Sequence, residues 1–541
     1  MLRSADIAAV LSYARPTASV DLRADARPAC DRLLALADRY RWALWGVALA
    51  FYLAAFNGQW RVQPDAALYL SIGRNLAQGH GYTYLGHTNR LAYPGWPVMI
   101  AAAFKLFGSR SLVPVHVLLQ LVTLGTLAAT YRLFLLHSGR PTAVLVTFGT
   151  ALTKAFFVYT LELWTDLPFA MAAMAMLAGY EGTLARRATG QPARRSRWYD
   201  WALLVGGLAL AVAIRPTGWP LMMALVLAIG VDAVRGRVRP AKLVAVVAGV
   251  AAVTVVCGVV LWRAHGEMLG GYEHYLLHRV AGGTAGPGGA ATDQPLAQNV
   301  YALFAWAASD VLFQVRFGFT ANAMLSGLVL GLGLGLYRVR ALWGLWFTLL
   351  LATILLMVQE TLDRYFLPVL PLLVSAWWSA IVWVDRQPTR SRSRRRLLDG
   401  ACLFLLGAGA IVNVCKVGGL IGQQRSRPFL ATYDQGCYQP VPALSAAIGR
   451  RVGPDDLVLI KPPYGRVAAY LSDRDVVNAN ELGPDQLVGR RVYVVEPADA
   501  KIRKVLADSG LAIGPLVYAV PAPPGVAVKA EKLSLHTTVR R

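Results

Sequence analysis

Six ionisable residues stand at or near the ends of apolar runs, and their types suit one kind of chemistry. Asp65 opens the stretch QPDAALYLSIGRNLAQGHGY, shortly after the apolar run WALWGVALAFYLAAF. Glu162 and Asp166 lie in TLELWTDLPF, Arg215 in AIRPTGWP and Arg364 in TLDRYFLPVLPLL. Lys154 lies inside an apolar run, about a turn and a half from its end. Carboxylates act as general bases towards a hydroxyl. Arginine and lysine clamp a phosphate and stabilise it as it departs. A hydrophobic cleft open to lipid would admit a polyprenyl tail. Plainer roles compete. Asp65 and Asp166 can each cap a helix, and Arg215 and Arg364 can snorkel to lipid headgroups. Asp363 can serve as a local ion-pair partner. Spacing alone favours the cap for Asp65.

The elements that position these residues follow from composition. The chain has 541 residues, 56% of them hydrophobic, with a mean hydropathy of +0.45. That is the composition of an all-α polytopic membrane protein. Apolar runs near 42–58, 112–136, 142–160, 166–185, 200–214, 217–234, 241–262, 319–337, 341–358, 365–384 and 397–415 predict about 11 transmembrane helices. No cleavable signal peptide is expected, because residues 1–41 read as a polar, cytoplasmic N-terminal segment.

Charge tests the count independently. The net charge of +24 would suggest nucleic acid if it covered a soluble surface. Instead it gathers between apolar runs, in HSGR (137–140), RRATGQPARRSR (186–197), RGRVRPAK (235–242), RVR (338–340) and RQPTRSRSRRR (386–396). With the N-terminus cytoplasmic, every one of these basic loops falls on the cytoplasmic side. No nucleic-acid partner is expected. Two further apolar stretches, 94–108 and 299–316, are read as interfacial helices on the external face, since counting one of them as a crossing would invert the charge pattern. The helix that Asp65 opens is a third. Leu68, Tyr69, Ile72 and Leu76 share one face, Ser71, Arg74, Asn75 and Gln78 the other, and Gly79 and Gly81 end it. Asp65, Glu162, Asp166, Arg215 and Arg364 then all belong to the external side.

After Cys415 the composition changes. DLVLI, PPYGRVAAYL, DVV, RVYVVEP, ADAKIRKVLADSG and LAIGPLVYAV alternate short strands with helical patterns. This predicts a small external α/β domain over 416–541, beside a transmembrane domain over 42–415. Five cysteines show neither metal spacing nor disulfide density, and Cys415 and Cys437 read as free thiols. Asp473-Arg474-Asp475 reads as a turn between two strands. Glu273, His274 and His278 lack a full zinc motif and read as a loop helix. GLVLGLGLGL (327–336) lacks the Lys-Ser/Thr end of a phosphate loop, and close helix packing explains its glycines.

The order PDAALYLSIGRNLAQGHGY, YPGWPVMIAAAFKLFG, ELWTDLPF, AIRPTG, DRYFLPVLPLL resembles the GT-C membrane glycosyltransferases over roughly residues 40–385. It looks most like the branch of bacterial protein O-mannosyltransferases and lipid A aminoarabinose transferases. The resemblance implies transfer of a sugar from a polyprenyl-phosphate donor to a cell-envelope acceptor hydroxyl on a glycan, lipid or protein. It implies an inverting hexosyl- or pentosyltransferase, multi-pass in a bacterial inner membrane, with membrane lipids around it. It places the catalytic base on Asp65. Glu162, Asp166, Lys154, Arg215 and Arg364 are then candidates for substrate binding. No cofactor is required and no metal site is assigned, although a divalent metal remains compatible. One departure is that many relatives follow the aspartate with a glutamate, where this chain has Ala66. A transporter or flippase for a lipid-linked or small solute, or an inactive GT-C-like scaffold, is the alternative.

Overall fold

The computed structural model describes residues 29–56, 58, 60–61, 63–85, 87–89, 92–108, 111–183, 197–235, 240–265, 331, 335–336, 340–357, 363–385, 392–426, 440–461, 464–478, 490–519 and 533–540. The expectations for 299–316, for most of 319–337, for Glu273, His274 and His278, and for Cys437 lie outside these residues.

Helices dominate because apolar backbone without water must satisfy its own N–H and C=O groups. In chain order they are α1 (Ala29–Arg39), α2 (Arg41–Ala55), α3 (Pro64–Gln78), α4 (Gly95–Phe107), α5 (Val113–His137), α6 (Arg140–Leu152), α7 (Lys154–Tyr159), α8 (Asp166–Thr183), α9 (Trp198–Ile214), α10 (Gly218–Val234), α11 (Pro240–His265), α12 (Ala341–Met357), α13 (Leu370–Asp385) and α14 (Arg392–Ser426). A 3-10 turn, Asp363–Phe366, precedes α13. Among the described residues, α5 alone is long and apolar enough to cross a membrane by itself. Among the described residues, shorter apolar helices overlap the expected runs near 42–58, 200–214, 217–234, 241–262, 341–358, 365–384 and 397–415. α14 runs unbroken through residue 415 to Ser426.

α8 is the axis of the bundle, buried along almost its whole length. It touches α9 backbone to backbone through two glycines. A Cβ on Gly179 would lie 2.3 Å from the Leu204 nitrogen, and one on Gly207 would lie 2.6 Å from the Met176 nitrogen. Small residues allow this approach, and the close van der Waals packing it permits rewards it. The two described glycines of 327–336 do not repeat the pattern among the described residues. At Gly331 and Gly335 no described atom comes within 4 Å of an added Cβ. The far end of α8 carries buried ion pairs and polar contacts. Arg340 grips Glu181 in a fork of 2.8 and 3.2 Å, Arg132 pairs with Asp200, and the Tyr180 hydroxyl donates to Asp232.

Two local features depart from the sequence reading. The run 142–160 is not one helix but breaks at Thr153, whose φ of −66° and ψ of 135° are extended. The break persists because its freed backbone groups find partners. Tyr52 donates to the Ala151 carbonyl at 2.7 Å, and the Lys154 amide donates to Asn413 Oδ1 at 2.9 Å. Within the segment read as polar, α1 is an amphipathic helix laid on α6 and α13. Arg140 holds Asp38 at 2.6 and 2.8 Å and keeps its carboxyl below the usual range, and the Cys30 amide donates to Asp385.

Beyond α14 the chain forms α15 (Val441–Arg451), β3 (Leu457–Ile460), α16 (Gly465–Ser472), β4 (Asp475–Asn478), β5 (Val492–Glu496), α17 (Ala500–Asp508), β6 (Leu511–Ala519) and β7 (Ser534–Arg540). β1 (Thr83–Tyr84) and β2 (His87–Thr88) form a separate small hairpin after α3. The sheet order is β4-β3-β5-β7-β6, parallel across β4-β3-β5 and antiparallel from β5 onward. A mostly helical chain with a small α/β sheet unit is the architecture expected. β7, absent from the strand list read in the sequence, is the strand that joins β6 to the sheet.

Candidate functional site

α3 begins where Pro64 takes the first helical position, a place that needs no amide donor. Gln63 is the cap residue, and its side chain makes no cap bond. Asp65 is therefore no cap, and its carboxylate is used elsewhere. Gly79, at φ 85°, closes the helix in the left-handed conformation that glycine tolerates. Gly73 lets α3 lie against α4, since a Cβ there would sit 2.6 Å from Ile100 Cγ2.

The polar face of α3 is covered by the sheet domain. Arg74 pairs with Asp473 at 3.0 Å and lies over the Tyr470 ring at 4.8 Å. Trp60 meets Tyr470 edge-on at 5.3 Å. Burial pushes the Tyr470 hydroxyl up to about 12, so it stays neutral. α3 is thus a layer between bundle and sheet domain, with Ser71 buried. A cavity of 310 Å³ runs along this seam, lined by Ser71, Arg74, Asn75, Thr83, Asp473 and Arg474 among others.

Asp65 faces two guanidinium groups. Arg466 Nη1, from α16, is 2.9 Å from Oδ1, and Arg364 Nη1 is 3.7 Å from Oδ2. Arg364 is itself held, with its guanidinium 3.8 Å above the Trp164 ring and donating to the Tyr365 hydroxyl at 3.2 Å. Tyr365 also lies under Arg215, 5.3 Å from its ring centre, and Arg215 pairs with the buried Asp166 at the start of α8. Glu162 and Arg61, both deeply buried, pair at 3.7 Å. Trp96 fixes the same loop by donating to the Leu163 carbonyl at 3.2 Å.

Asp65, Asp166, Arg215 and Arg364 are thereby brought together around Tyr365 and Trp164. Glu162 joins the same loop with Arg61 as its partner. Lys154 starts α7, which packs against the Asp363–Phe366 turn. Among the described residues, no side-chain ion pair or hydrogen bond links it to the others. Sequence reading missed Arg61, Trp164, Tyr365, Arg74 and Arg466. Trp164 and Tyr365 adjoin residues already singled out, so chain proximity was a usable signal. Arg466 has none, being 401 residues from Asp65.

No group of three or more His, Cys, Asp or Glu residues placed to hold a metal occurs among the described residues. Asp473-Arg474-Asp475 is a turn from α16 into β4, not one between two strands. Asp473 pairs with Arg74, and Asp475 with Arg490 at 2.6 Å. The site offers carboxylates that each stand beside an arginine, and an arginine is a group that an anion can recruit.

No family model and no curated protein matches the chain. Solved structures do. ArnT from Cupriavidus metallidurans bound to undecaprenyl phosphate superposes with a TM-score of 0.59 at 14% identity, covering 92% of this chain and 97% of that one. Its apo form gives 0.55 at 14% identity, over 93% and 98%. The apo oligosaccharyltransferase of Archaeoglobus fulgidus gives 0.51 at 13% identity, over 84% and 69%. At these identities the likeness is one of fold: the chain shares the fold of ArnT and of the archaeal oligosaccharyltransferase.

Proposed function

We propose that this protein is an integral-membrane glycosyltransferase that moves a sugar from a polyprenyl-phosphate carrier to an acceptor hydroxyl. The observation that carries the reading is the convergence of Asp65, Arg364 and the Asp166–Arg215 pair on Tyr365 and Trp164, at the seam between bundle and sheet domain. Its setting in a fold shared with an undecaprenyl-phosphate-bound enzyme supports the lipid-linked donor.

In this reading the acceptor oxygen attacks the anomeric carbon while its proton passes to an Asp65 oxygen. The bond from that carbon to the phosphate oxygen breaks, and the phosphate keeps the electron pair. One displacement inverts the anomeric centre. A phosphate is already a competent leaving group, so the main demand is charge stabilisation. Arg364, oriented by its stack on Trp164, supplies it, and Arg215 adds a second charge beside it. Lys154 lies next to the same turn and is a further candidate for the phosphate. Asp166 holds Arg215 in place beside the phosphate, and Glu162, paired with Arg61 in the same loop, is a candidate contact to the sugar or the acceptor.

About 11 crossings, a cytoplasmic N-terminus and an external sheet domain complete the reading, in a bacterial inner membrane. The arginine-rich loops support this orientation. The test is the lipid that travels with the protein. After mild purification, mass spectrometry of bound lipid should find a polyprenyl phosphate bearing one sugar, lost on incubation with a hydroxyl acceptor. Recovery of bulk phospholipid alone, with no turnover of any added polyprenyl-phosphate sugar, would refute the transferase reading.

A further inference from the structure

The seam between α3 and the sheet domain holds a second feature, away from the reacting carboxylate. Asp65 pairs with Arg466 at the start of α16, and Arg74 pairs with Asp473 just past its end. The two helices therefore run side by side in the same direction. The 310 Å³ cavity lies at the Arg74 end, bounded by Ala469 of α16 and by Leu85 in the turn between β1 and β2. Ser71, on its wall, is six residues beyond Asp65, about 9 Å along the helix.

The charges around this cavity are already matched. Arg74 faces Asp473 at 3.0 Å, Asp475 takes Arg490 at 2.6 Å, and Arg474 donates to the carbonyls of Gly449, Val452 and Asp473. Hydrogen-bonding capacity is not matched. Ser71 is 6% exposed, and among the described residues neither its buried Oγ nor Arg74 Nε has a hydrogen-bond partner. Asn75 donates through Nδ2 to the Thr83 carbonyl at 2.9 Å, and its Oδ1 accepts nothing among the described residues. Backbone strain gathers here too. Among the described residues, two that are not glycine have a positive φ, Leu85 at 53° and Asp473 at 56°, and both line this cavity. A leucine in that region is an outlier, and such strain clusters at ligand clamps.

These features define what fits. A free anion would meet Asp473 and find both arginines engaged. A peptide held as an added strand needs open main-chain groups, but the Thr83 carbonyl already takes Asn75. A hydroxyl both donates and accepts, so a row of hydroxyls satisfies Ser71 Oγ, Arg74 Nε and Asn75 Oδ1 together. The volume of 310 Å³ stands at the lower end of small-ligand sites, roughly 300–1,000 Å³. We propose that this cavity is a subsite for a neutral oligosaccharide, holding the sugars of the acceptor that lie beyond the reacting hydroxyl. Resting on the transferase reading, this narrows the acceptor to a glycan of at least two sugars. Contacts so far from the reacting atoms are made equally before and during transfer, so they set KM rather than kcat.

The test uses the full chain in phosphatidylcholine nanodiscs, with an array of neutral and uronic-acid-containing di- to tetrasaccharides as probes. Neutral members should bind and acidic ones should not. Ser71→Ala should weaken that binding by roughly 2- to 10-fold, the range for one lost neutral hydrogen bond. Because the Ser71 hydroxyl is buried without a partner, the same variant should leave the unfolding midpoint unchanged or raise it. A serine with only a structural role would lower the midpoint and leave binding alone. Ser71→Leu, which fills the cavity, should abolish binding, and the alanine variant decides if the leucine variant does not fold. A bound oligosaccharide used as acceptor for a polyprenyl-phosphate sugar should show the Ser71→Ala loss in KM, with kcat little changed. No neutral oligosaccharide bound by the wild type, or binding that Ser71→Ala leaves intact, overturns the subsite. Preferential binding of the acidic members overturns the neutral class. If the wild type binds polyprenyl phosphate but no glycan, the subsite alone falls. If it binds glycan but no polyprenyl phosphate, the transferase reading falls and the acceptor role with it.

Discussion

Arg215→Met leaves the Asp166 carboxylate stranded, and the structure sets the scale of the damage. The Asp166 side chain is 1% exposed and that of Arg215 14%, so water cannot replace the lost partner. Removing one member of a buried pair costs about 3–5 kcal/mol. Loss of the Tyr365 contact adds about 0.5–1 kcal/mol. Arg215→Met should therefore destabilise by at least about 3 kcal/mol, and Asp166→Leu by a similar amount. The double variant leaves no uncompensated charge, so it should cost far less than the sum of the singles. Denaturant unfolding in detergent micelles, run as a double-mutant cycle, reads this directly. The double variant should still bind polyprenyl phosphate more weakly than wild type, because Arg215 also serves the phosphate. Strictly additive single effects would refute the pairing. Full lipid affinity in a folded double variant would remove Arg215 from the clamp.

Gly207→Ala pushes a methyl to 2.6 Å from the Met176 nitrogen and should cost about 1–3 kcal/mol. Gly206→Ala, with open space around it, should be neutral or slightly stabilising, and unfolding of the two variants side by side checks this. Trp164→Leu removes the ring under Arg364, worth about 0.5–2 kcal/mol, so steady-state kinetics should show donor KM rising several-fold or more with kcat little changed. A reporter fused after Arg541 should behave as external and one inserted within 386–396 as cytoplasmic. Both on one side would overturn the proposed orientation.

Long apolar runs made the helices easy to place. Trp198–Ile214 and Gly218–Val234 lie within two residues of the runs read at 200–214 and 217–234, because a long apolar stretch that satisfies its own backbone groups has few alternatives to helix. The strands Leu457–Ile460 and Val492–Glu496 were equally plain, as β-branched runs bounded by turn residues. The break at Thr153 was hidden because TALTK stays apolar enough to continue a helix. Its cause lies in Tyr52 and Asn413, remote in sequence. Site partners follow the same rule. Arg364 and Asp65 could be singled out as boundary charges, but Arg466 and Arg61 become visible only once the sheet domain docks and the first loop folds back. The cap reading of Asp65 failed for a local reason, since Gln63 and Pro64 already start the helix.

The central claim is that Asp65 takes the acceptor proton, and Asp65→Asn tests it most directly. The substitution preserves shape and leaves the α3 start untouched, because the Asp65 side chain makes no cap bond there. An amide cannot accept the proton, and a general base contributes on the order of 10²–10⁴-fold to rate. Single-turnover transfer from a polyprenyl-phosphate sugar should fall by at least about 100-fold, with the unfolding midpoint and lipid binding retained. Transfer within a few-fold of wild type would contradict the account and leave Asp65 as an ion-pair partner of Arg364 and Arg466 alone.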